Sequence, residues 1–196
     1  MCGRLNVTTD PLVEWLRETL GISFSIESNT DLRPTETIAT LATINGQPQQ
    51  LNTQWGIKPS WSKKLIINAQ GETAASKKTF ASAFAHQRCL IPVTGWYEWS
   101  SNPETGKKDK YAFSHPEGKP LLMAGIWFAN SAQTSNNLPQ LVTLTTQPTA
   151  QCNEIHHRMP VIISPENTNH WLTDSATNVR PLMTADESII LSIKKQ

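Results

Sequence analysis

The chain has 196 residues, with 17 Lys and Arg against 16 Asp and Glu, so its net charge is +1. This length predicts one domain, residues 1–196, with a core large enough to fold without disulfides or metal. The near-neutral charge argues against a histone-like tail, a strongly basic coat protein and an acidic disordered domain.

The sequence has no apolar run near the roughly 20 residues that span a bilayer, and no signal-peptide pattern at its start. Its three cysteines lack CxxC spacing, as expected for a reduced, cytoplasmic protein. We therefore expect a monomer that does not associate with membranes.

The predicted elements begin with a helix over residues 10–20. Asp10 is its N-cap, Pro11 stands at its first position, and Gly21 ends it. Strands at 37–44 and 49–55 flank Asn45-Gly46, a strong hairpin signal. A second helix is predicted over 74–86, with Phe80 and Phe84 one turn apart on one face.

The second half of the sequence reads mostly as strands. We predict them at 89–93, 96–100, 111–114, 121–128, 141–145, 159–163 and 189–193, with a third short helix at 164–172. Many strands and few helices indicate an α+β domain built around a curved, mainly antiparallel sheet or a partly open β-barrel.

Cys2 is the candidate nucleophile. Removal of Met1 by methionine aminopeptidase would expose an N-terminal cysteine whose amine and thiol have reference pKa values of about 8 and 8.5. An aldehyde can form an imine on this amine, and the thiolate can then close a five-membered thiazolidine. The alternative is that Cys2 is only a small residue after the initiator.

A carboxylate lies within an aromatic run in Gly95-Trp96-Tyr97-Glu98-Trp99. On a strand, Trp96 and Glu98 share one face. Partial burial raises a carboxyl pKa and suits a proton shuttle. The alternative is an edge glutamate paired with a lysine.

Two adjacent histidines precede the strand predicted at 159–163. Neighbouring side chains point in different directions on extended backbone, and no Cys or carboxylate has zinc-ligand spacing, so we expect no metal and no cofactor. One catalytic histidine, His156, beside a solvated His157 is the favoured interpretation. Arg158 is expected to pair with a phosphate or with Glu98.

Several other residues have chemistry suited to DNA. Gly3 permits a close approach of a ligand, and Arg4 can hold a phosphate by two hydrogen bonds. Asn68 can orient a nucleophile or donate to developing negative charge, although it would also serve as a turn cap. Trp61, near several lysines, can stack on bases, as in a single-strand groove.

Taken together and in this order, five segments resemble the SOS-response-associated peptidase (SRAP) family. They are Met1-Cys2-Gly3-Arg4, Trp55-Gly56, Asn68-Ala69 with Glu72-Thr73, Gly95-Trp96-Tyr97-Glu98-Trp99 and Ile155-His156-His157-Arg158-Met159-Pro160. The resemblance implies a single α+β domain that acts in the DNA damage response. Such a domain crosslinks to an abasic site in single-stranded DNA through a thiazolidine at its mature N-terminal cysteine.

The resemblance also assigns roles to residues. Cys2 would be the nucleophile, Asn68 and Glu98 its catalytic partners, and His156 the general acid–base that opens the sugar ring. Thiol-dependent, peptidase-like autocleavage would expose the cysteine when residues precede it.

Two positions depart from the family pattern. Gln70 stands where these proteins usually have Arg, and Asp31 where they usually have Asn. Gln70 removes a positive charge, which Arg33 can restore from a neighbouring segment. With the near-neutral net charge, this predicts modest, weakly salt-dependent binding to DNA. The predicted DNA contacts are Gly3, Arg4, Arg33, Trp61, Gln70 and Arg158.

Two other functions fit parts of the sequence. An N-terminal-nucleophile amidohydrolase would also use Cys2, with its own amine as the base, but that class stacks helices on both sides of two sheets. A non-catalytic single-stranded nucleic-acid binding module would use the tryptophans and lysines and would not depend on Cys2.

Overall fold

Two β-sheets hold most of the regular structure in residues 3–129 and 138–196, which are the residues that this computed structural model describes. The strands are β1 (Leu5–Val7), β2 (Asn29–Leu32), β3 (Thr37–Ile44), β4 (Gln47–Trp55), β5 (Asn68–Gln70), β6 (Arg88–Val93), β7 (Gly95–Ser101), β8 (Lys108–Ser114), β9 (Leu121–Phe128), β10 (Gln140–Thr146), β11 (Met159–Pro160), β12 (Ile162–Ile163) and β13 (Ser192–Lys195). The helices are α1 (Thr9–Leu20), α2 (Gly71–Ala74), α3 (Ala81–His86), α4 (Ala150–Asn153) and α5 (Thr168–Thr173), with single 3-10 turns at Pro165–Asn167 and Arg180–Met183.

The smaller sheet is antiparallel, in the order β13-β8-β7-β1-β2. The larger sheet runs β11-β10-β4-β3-β6-β9-β12, with β5 beside β10. An additional β9–β10 pairing joins strands β4, β3, β6, β9 and β10 into a ring that is not a true barrel. Since only β4 and β5 run parallel to β10, the predicted α+β fold with a curved, mainly antiparallel sheet is confirmed.

The core between these sheets contains three of the tryptophans. Trp55 and Trp171 are 0% exposed and Trp96 is 1% exposed, whereas Trp61 is 67% exposed. Packing is therefore the role of the first three, and Trp61 is available to a ligand.

Local signals in the first third of the sequence predict the structure well. Gly21 ends α1 in the left-handed conformation, at φ 68°. Asn45 and Gly46 both have positive φ, 52° and 78°, as a tight hairpin turn requires. Strand β4 begins at Gln47, two residues earlier than predicted, because Ile44 pairs directly with Gln47.

The predicted helix over 74–86 is wrong. Helix α2 ends at Ala74 and α3 begins only at Ala81. Between them, the Thr73 carbonyl accepts hydrogen bonds from the Ser76 and Lys77 N–H groups and from the Ser76 hydroxyl. The predicted spacing of Phe80 and Phe84 is confirmed, since both are buried and the Phe84 N–H donates to the Phe80 carbonyl.

Candidate active site

Glu98 is a buried carboxyl group on β7, with its side chain 4% exposed. Its neighbour Trp96 stacks on Phe113 of β8 with ring centroids 4.8 Å apart, which fixes this part of the sheet. Burial raises the pKa of Glu98 to about 7. The carboxyl group therefore exchanges a proton near neutral pH, as the sequence suggested.

His156 lies in the segment after α4 and faces Glu98. Its Nε2 atom is 3.9 Å from Glu98 Oε2, and its side chain is 15% exposed. Burial lowers the pKa of His156. The exposed His157 stacks on the His156 ring, with centroids 4.4 Å apart, which confirms that one histidine of the pair is solvated.

The pKa values of Glu98 and His156 shift in opposite directions. Burial raises the pKa of the carboxyl group to about 7 and lowers that of the imidazole. A carboxyl group that titrates near neutral pH suits general acid–base catalysis.

Asn68 begins β5, beside β10. The Thr143 hydroxyl lies within hydrogen-bond distance of two acceptors, Asn68 Oδ1 and, at 3.1 Å, the carbonyl of Ile67, and its single proton is donated to one of them at a time. The buried Trp55 indole N–H donates to the same carbonyl at 3.1 Å. With its oxygen held as an acceptor by Thr143, Asn68 presents its amide N–H groups on the other side of the side chain.

Arg158 does not pair with Glu98, so that alternative is wrong, and its contact with a phosphate stays a prediction. Its Nη1 and Nη2 atoms each lie 2.8 Å from one oxygen of Glu72, and Nη2 also donates to the Thr145 carbonyl at 2.6 Å. The Arg158 side chain is 7% exposed. Such a bidentate pair is strong and directional.

Arg4 and Arg33 lie on either side of one carboxylate. Arg4 Nη1 is 2.6 Å from Asp31 Oδ1, and Arg33 Nη2 is 2.6 Å from Asp31 Oδ2. Hydrogen bonds from Arg33 and then from Arg4 hold the pKa of Asp31 below its usual value. Arg33 therefore lies beside Arg4, with both cations sharing Asp31, and its replacement of the charge lost at Gln70 stays a prediction.

The remaining predicted DNA contacts are accessible. Trp61 lines an open cavity of about 600 Å³ together with Lys58, Lys78 and Phe128. Gln70 is exposed at the end of β5, and Gly3 is half-buried just before β1.

Cys2 lies outside the described residues. Its neighbour Gly3 is placed by the pairing of β1 with β7, in which Leu5 lies opposite Trp96 and the Tyr97 N–H donates to the Arg4 carbonyl. Continuing this antiparallel register puts Gly3 opposite Glu98.

Sequence reasoning missed Lys110 and the role of Glu72. Lys110 Nζ is 3.7 Å from the centroid of the Tyr97 ring, a cation–π contact. Alternation along β8 would have placed Lys110 opposite Trp99, had the strand been predicted to begin at Lys108. In the sequence, Glu72 was noted only as part of a motif. Its partner Arg158 is 86 residues away, so no local pattern indicates their contact.

Among residues 3–129 and 138–196, no three His, Cys, Asp or Glu side chains come together as a metal site. No helix in the same ranges is long and apolar enough to cross a membrane.

The domain is mostly β, and in it a buried carboxyl group on β7 faces an imidazole. The SOS response associated peptidase (SRAP) family matches residues 1–193, and the chain belongs to that family.

Curated relatives carry one common description. The abasic site processing protein YoqW of Bacillus subtilis is 29% identical over 154 residues, which cover 76% of this chain and 68% of the relative. The abasic site processing protein YedK of Escherichia coli is 30% identical over 119 residues, covering 60% of this chain and 52% of the relative. The abasic site processing protein HMCES of Rattus norvegicus is 24% identical over 153 residues, covering 61% and 43%.

Solved structures share the fold. A crystal structure of a protein from Bordetella bronchiseptica aligns with a TM-score of 0.82 at 24% identity, covering 100% of this chain and 99% of that one. A phage-related protein from the same organism aligns with a TM-score of 0.81 at 21% identity, covering 100% and 94%. These similarities support the fold described above.

Proposed function

We propose that this protein processes abasic sites in single-stranded DNA by forming a covalent thiazolidine crosslink through Cys2. Family membership and the description shared by the curated relatives support the substrate. The observation that carries the chemistry is the buried pair of Glu98 and His156, 3.9 Å apart.

Covalent geometry supports Cys2 as the group on which this pair acts. Consecutive Cα atoms are about 3.8 Å apart, so the Cα atom of residue 2 lies within that distance of Gly3. Gly3 comes opposite Glu98 in the extended register of β1 and β7. The N-terminal amine and thiol therefore need only the reach of one residue to meet the carboxyl group.

The reaction balances without a cofactor. The ring-opened deoxyribose has an aldehyde at C1′, and the Cys2 amine adds to it to give a carbinolamine. Loss of water gives an imine, and the thiolate adds to the imine carbon to close the thiazolidine. One aldehyde, one amine and one thiol yield one thiazolidine and one water, with no change of oxidation state.

The site residues have distinct roles in these steps. His156 delivers a proton to O4′ to open the sugar, and Glu98 takes protons from the amine and gives one to the departing water. Asn68 holds the amine through its side-chain amide. The missing base leaves C1′ accessible, so selectivity follows from access to the carbon and no intact base need be flipped.

Each of the predicted DNA contacts has a role in this proposal. Arg4 and Arg33 would provide cations for phosphates, and Trp61 an exposed ring on which a base can stack. Gly3, which has no side chain, and Gln70, which is uncharged, would lie close to the DNA strand. Arg158 would approach DNA only after leaving Glu72. Release of residues ahead of Cys2 is the peptidase step of this proposal.

The decisive experiment mixes purified protein with single-stranded DNA that carries one abasic site. We expect a heat-stable band on a denaturing gel. Its intact mass should equal that of the DNA plus that of the protein chain without Met1, minus one water. Cys2→Ala should abolish the adduct, whereas the matched change at the buried Cys152, Cys152→Ala, should keep it. A wild-type chain without Met1 that forms no adduct would refute the proposal.

A non-catalytic single-stranded nucleic-acid module is the second candidate, favoured by the exposed Trp61 beside Lys58 and Lys78. It predicts that DNA binding survives Cys2→Ala and that no covalent species forms. The amidohydrolase alternative loses support from the fold, since no helix layers cover both sides of the sheets in the described ranges.

A further inference from the structure

The ion pair of Glu72 and Arg158 joins two segments that carry proposed catalytic residues. Glu72 lies in α2, four residues after Asn68, and Arg158 lies two residues after His156. Both carboxylate oxygens are engaged, at 2.8 Å each. The pair therefore fixes the distance between these segments by two parallel hydrogen bonds.

The end of β10 lies beneath this ion pair. At Thr145, β10 is flanked by Gln70 of β5 on one side and by Pro160 of β11 on the other. Arg158 donates to the Thr145 carbonyl, and Glu72 accepts the Gln147 N–H at 3.2 Å. Both partners of the ion pair are thus also attached to β10.

The backbone of Arg158 holds the imidazole of His156. The Arg158 N–H donates to His156 Nδ1 at 3.1 Å, and the Arg158 carbonyl lies 3.0 Å from the same nitrogen. When Nε2 carries the only proton, Nδ1 accepts from the N–H. When Nδ1 is protonated, it donates to the carbonyl. Nδ1 keeps a partner in both tautomers and in the imidazolium.

We propose that Glu72 and Arg158 are positioning residues for His156. Their ion pair fixes the Arg158 peptide groups, and these hold the ring with Nε2 facing Glu98, 3.9 Å from Oε2, whichever nitrogen carries the proton. This inference rests on the proposed crosslinking function and adds a role that differs from phosphate binding by Arg158. A phosphate contact needs the Arg158 guanidinium to be released from Glu72, whereas the positioning role needs it to stay paired with Glu72.

Glu72→Gln separates these two roles, because it keeps the shape of the side chain and removes its charge. Positioning predicts that the single-turnover rate of adduct formation at saturating DNA falls by about tenfold or more, since small displacements of a reacting group are costly. Phosphate binding by Arg158 predicts an unchanged or higher affinity for DNA, since the guanidinium is released. Affinity is measured in the Cys2→Ala background, where no adduct forms.

Glu117→Gln is the matched control. Glu117 makes an exposed ion pair with Lys119 at 2.6 Å, and both belong to the loop between β8 and β9. The same chemical change there should leave the rate at the wild-type value. Arg158→Lys, which keeps the charge and loses the planar fork, should lower the rate as Glu72→Gln does. The double variant should be no slower than the slower single variant.

Imidazole NMR provides a readout that does not depend on the reaction. In wild type, the titration of His156 reports a pKa lowered by burial, with Glu98, His157 and Arg158 as its charged or titratable neighbours. Loosening the ring in Glu72→Gln should raise that pKa toward the ordinary histidine value and broaden the imidazole signals. Glu117→Gln should leave both unchanged.

Three outcomes are decisive. A wild-type rate and an unchanged His156 titration in both Glu72→Gln and Arg158→Lys would overturn the positioning role. So would a loss of DNA affinity in Arg158→Lys without a change in rate at saturating DNA. If wild type forms no adduct, the proposed function fails, and the imidazole titration alone then decides whether the pair positions His156.

Discussion

At the scale of single residues, burial acts in opposite directions on two neighbouring side chains. Glu98 and His156 lie 3.9 Å apart, and burial raises the pKa of the first to about 7 and lowers that of the second. An exposed carboxylate and imidazole would differ by about two pKa units, with the carboxylate titrating far below neutral pH. Burial instead brings the titration of Glu98 close to neutral pH.

The raised pKa of Glu98 predicts a bell-shaped pH dependence of the adduct-forming rate. The protonated form of Glu98 is lost above its pKa of about 7. The Cys2 amine, with a reference pKa of about 8, is nucleophilic only when deprotonated, so the rate should peak between these values, at about pH 7.5. Single-turnover rates between pH 5 and 9 measure the curve. Glu98→Gln should lower the maximum by about 100-fold and remove the alkaline fall; an unchanged alkaline limb would exclude Glu98 as its cause.

Asp31 is the second residue with a testable effect. Its carboxylate occupies Arg4 and Arg33, the two cations proposed to bind phosphates. Asp31→Asn should therefore raise the affinity for single-stranded DNA by about threefold and steepen its salt dependence. Fluorescence anisotropy in the Cys2→Ala background measures both quantities.

A matched control separates this local effect from net charge. Asp109 pairs with Lys195 at 2.6 Å, and Asp109→Asn makes the same change in net charge. It should leave the affinity nearly unchanged. Equal gains from both variants would mean that only the overall charge matters.

At the scale of elements, the start of β7 leaves no room for a side chain. A Cβ atom at Gly95 would lie 2.3 Å from the Phe113 carbonyl oxygen of β8. Gly95→Ala should separate these strands, lower the free energy of unfolding by about 3 kcal/mol or more, and displace Glu98 three residues on. Urea unfolding and the adduct-forming rate are the measurements.

Gly106 provides the comparison for this variant. It lies between β7 and β8 at φ 67°, with nothing within 4 Å of an added Cβ atom. Gly106→Ala should cost only the left-handed backbone penalty, about 1 kcal/mol, and should keep the adduct-forming rate. A Gly95→Ala variant as stable and active as Gly106→Ala would contradict the close packing of β7 on β8.

How far the sequence predicts these elements depends on how local their signals are. The Asn45-Gly46 turn and the Gly21 helix end follow from the backbone preferences of a few residues, and both were predicted. The break between α2 and α3 was not predicted, because the predicted helix rested on the one-turn spacing of Phe80 and Phe84. That spacing supports only the second of the two short helices, and residues 76–79 between them are all polar.

The candidate site was predictable as a set of residue types and not as a set of contacts. Glu98 and His156 were predicted as proton-transfer groups, and the structure places them face to face. Their approach needs pairing between strands far apart in the sequence, which periodicity within one segment does not encode. The same holds for Arg158, whose partner Glu72 is 86 residues away.

At the scale of the whole molecule, the site assembles where the two sheets meet. Glu98 belongs to the smaller sheet through β7, and Asn68 to the larger sheet through β5. His156 lies just before β11, which pairs with β10 of the larger sheet. The buried carboxyl group therefore comes from the smaller sheet and the imidazole that faces it from a segment next to the larger one, so their approach to 3.9 Å depends on how the two sheets pack.

This arrangement makes the stability of the fold depend on the protonation of Glu98. Its pKa rises from 4.5 to about 7 on folding, so the folded state binds the extra proton between these values. Stability is then fully present below about pH 4.5 and falls as pH rises through 7. Glu98→Gln removes this titration, so the free energy of unfolding of the variant minus that of wild type should be about 2 kcal/mol larger at pH 8 than at pH 5.

Urea unfolding at the two pH values tests this linkage. Glu117→Gln is again the control, because Lys119 lowers the pKa of Glu117 and its contribution is lost as pH falls. Its difference from wild type should change with pH in the opposite direction, and only slightly, since the pair is exposed. A pH-independent difference for Glu98→Gln would mean that Glu98 is ionised in the folded state well below pH 7. A group other than Glu98 would then have to supply the proton in the proposed acid–base steps.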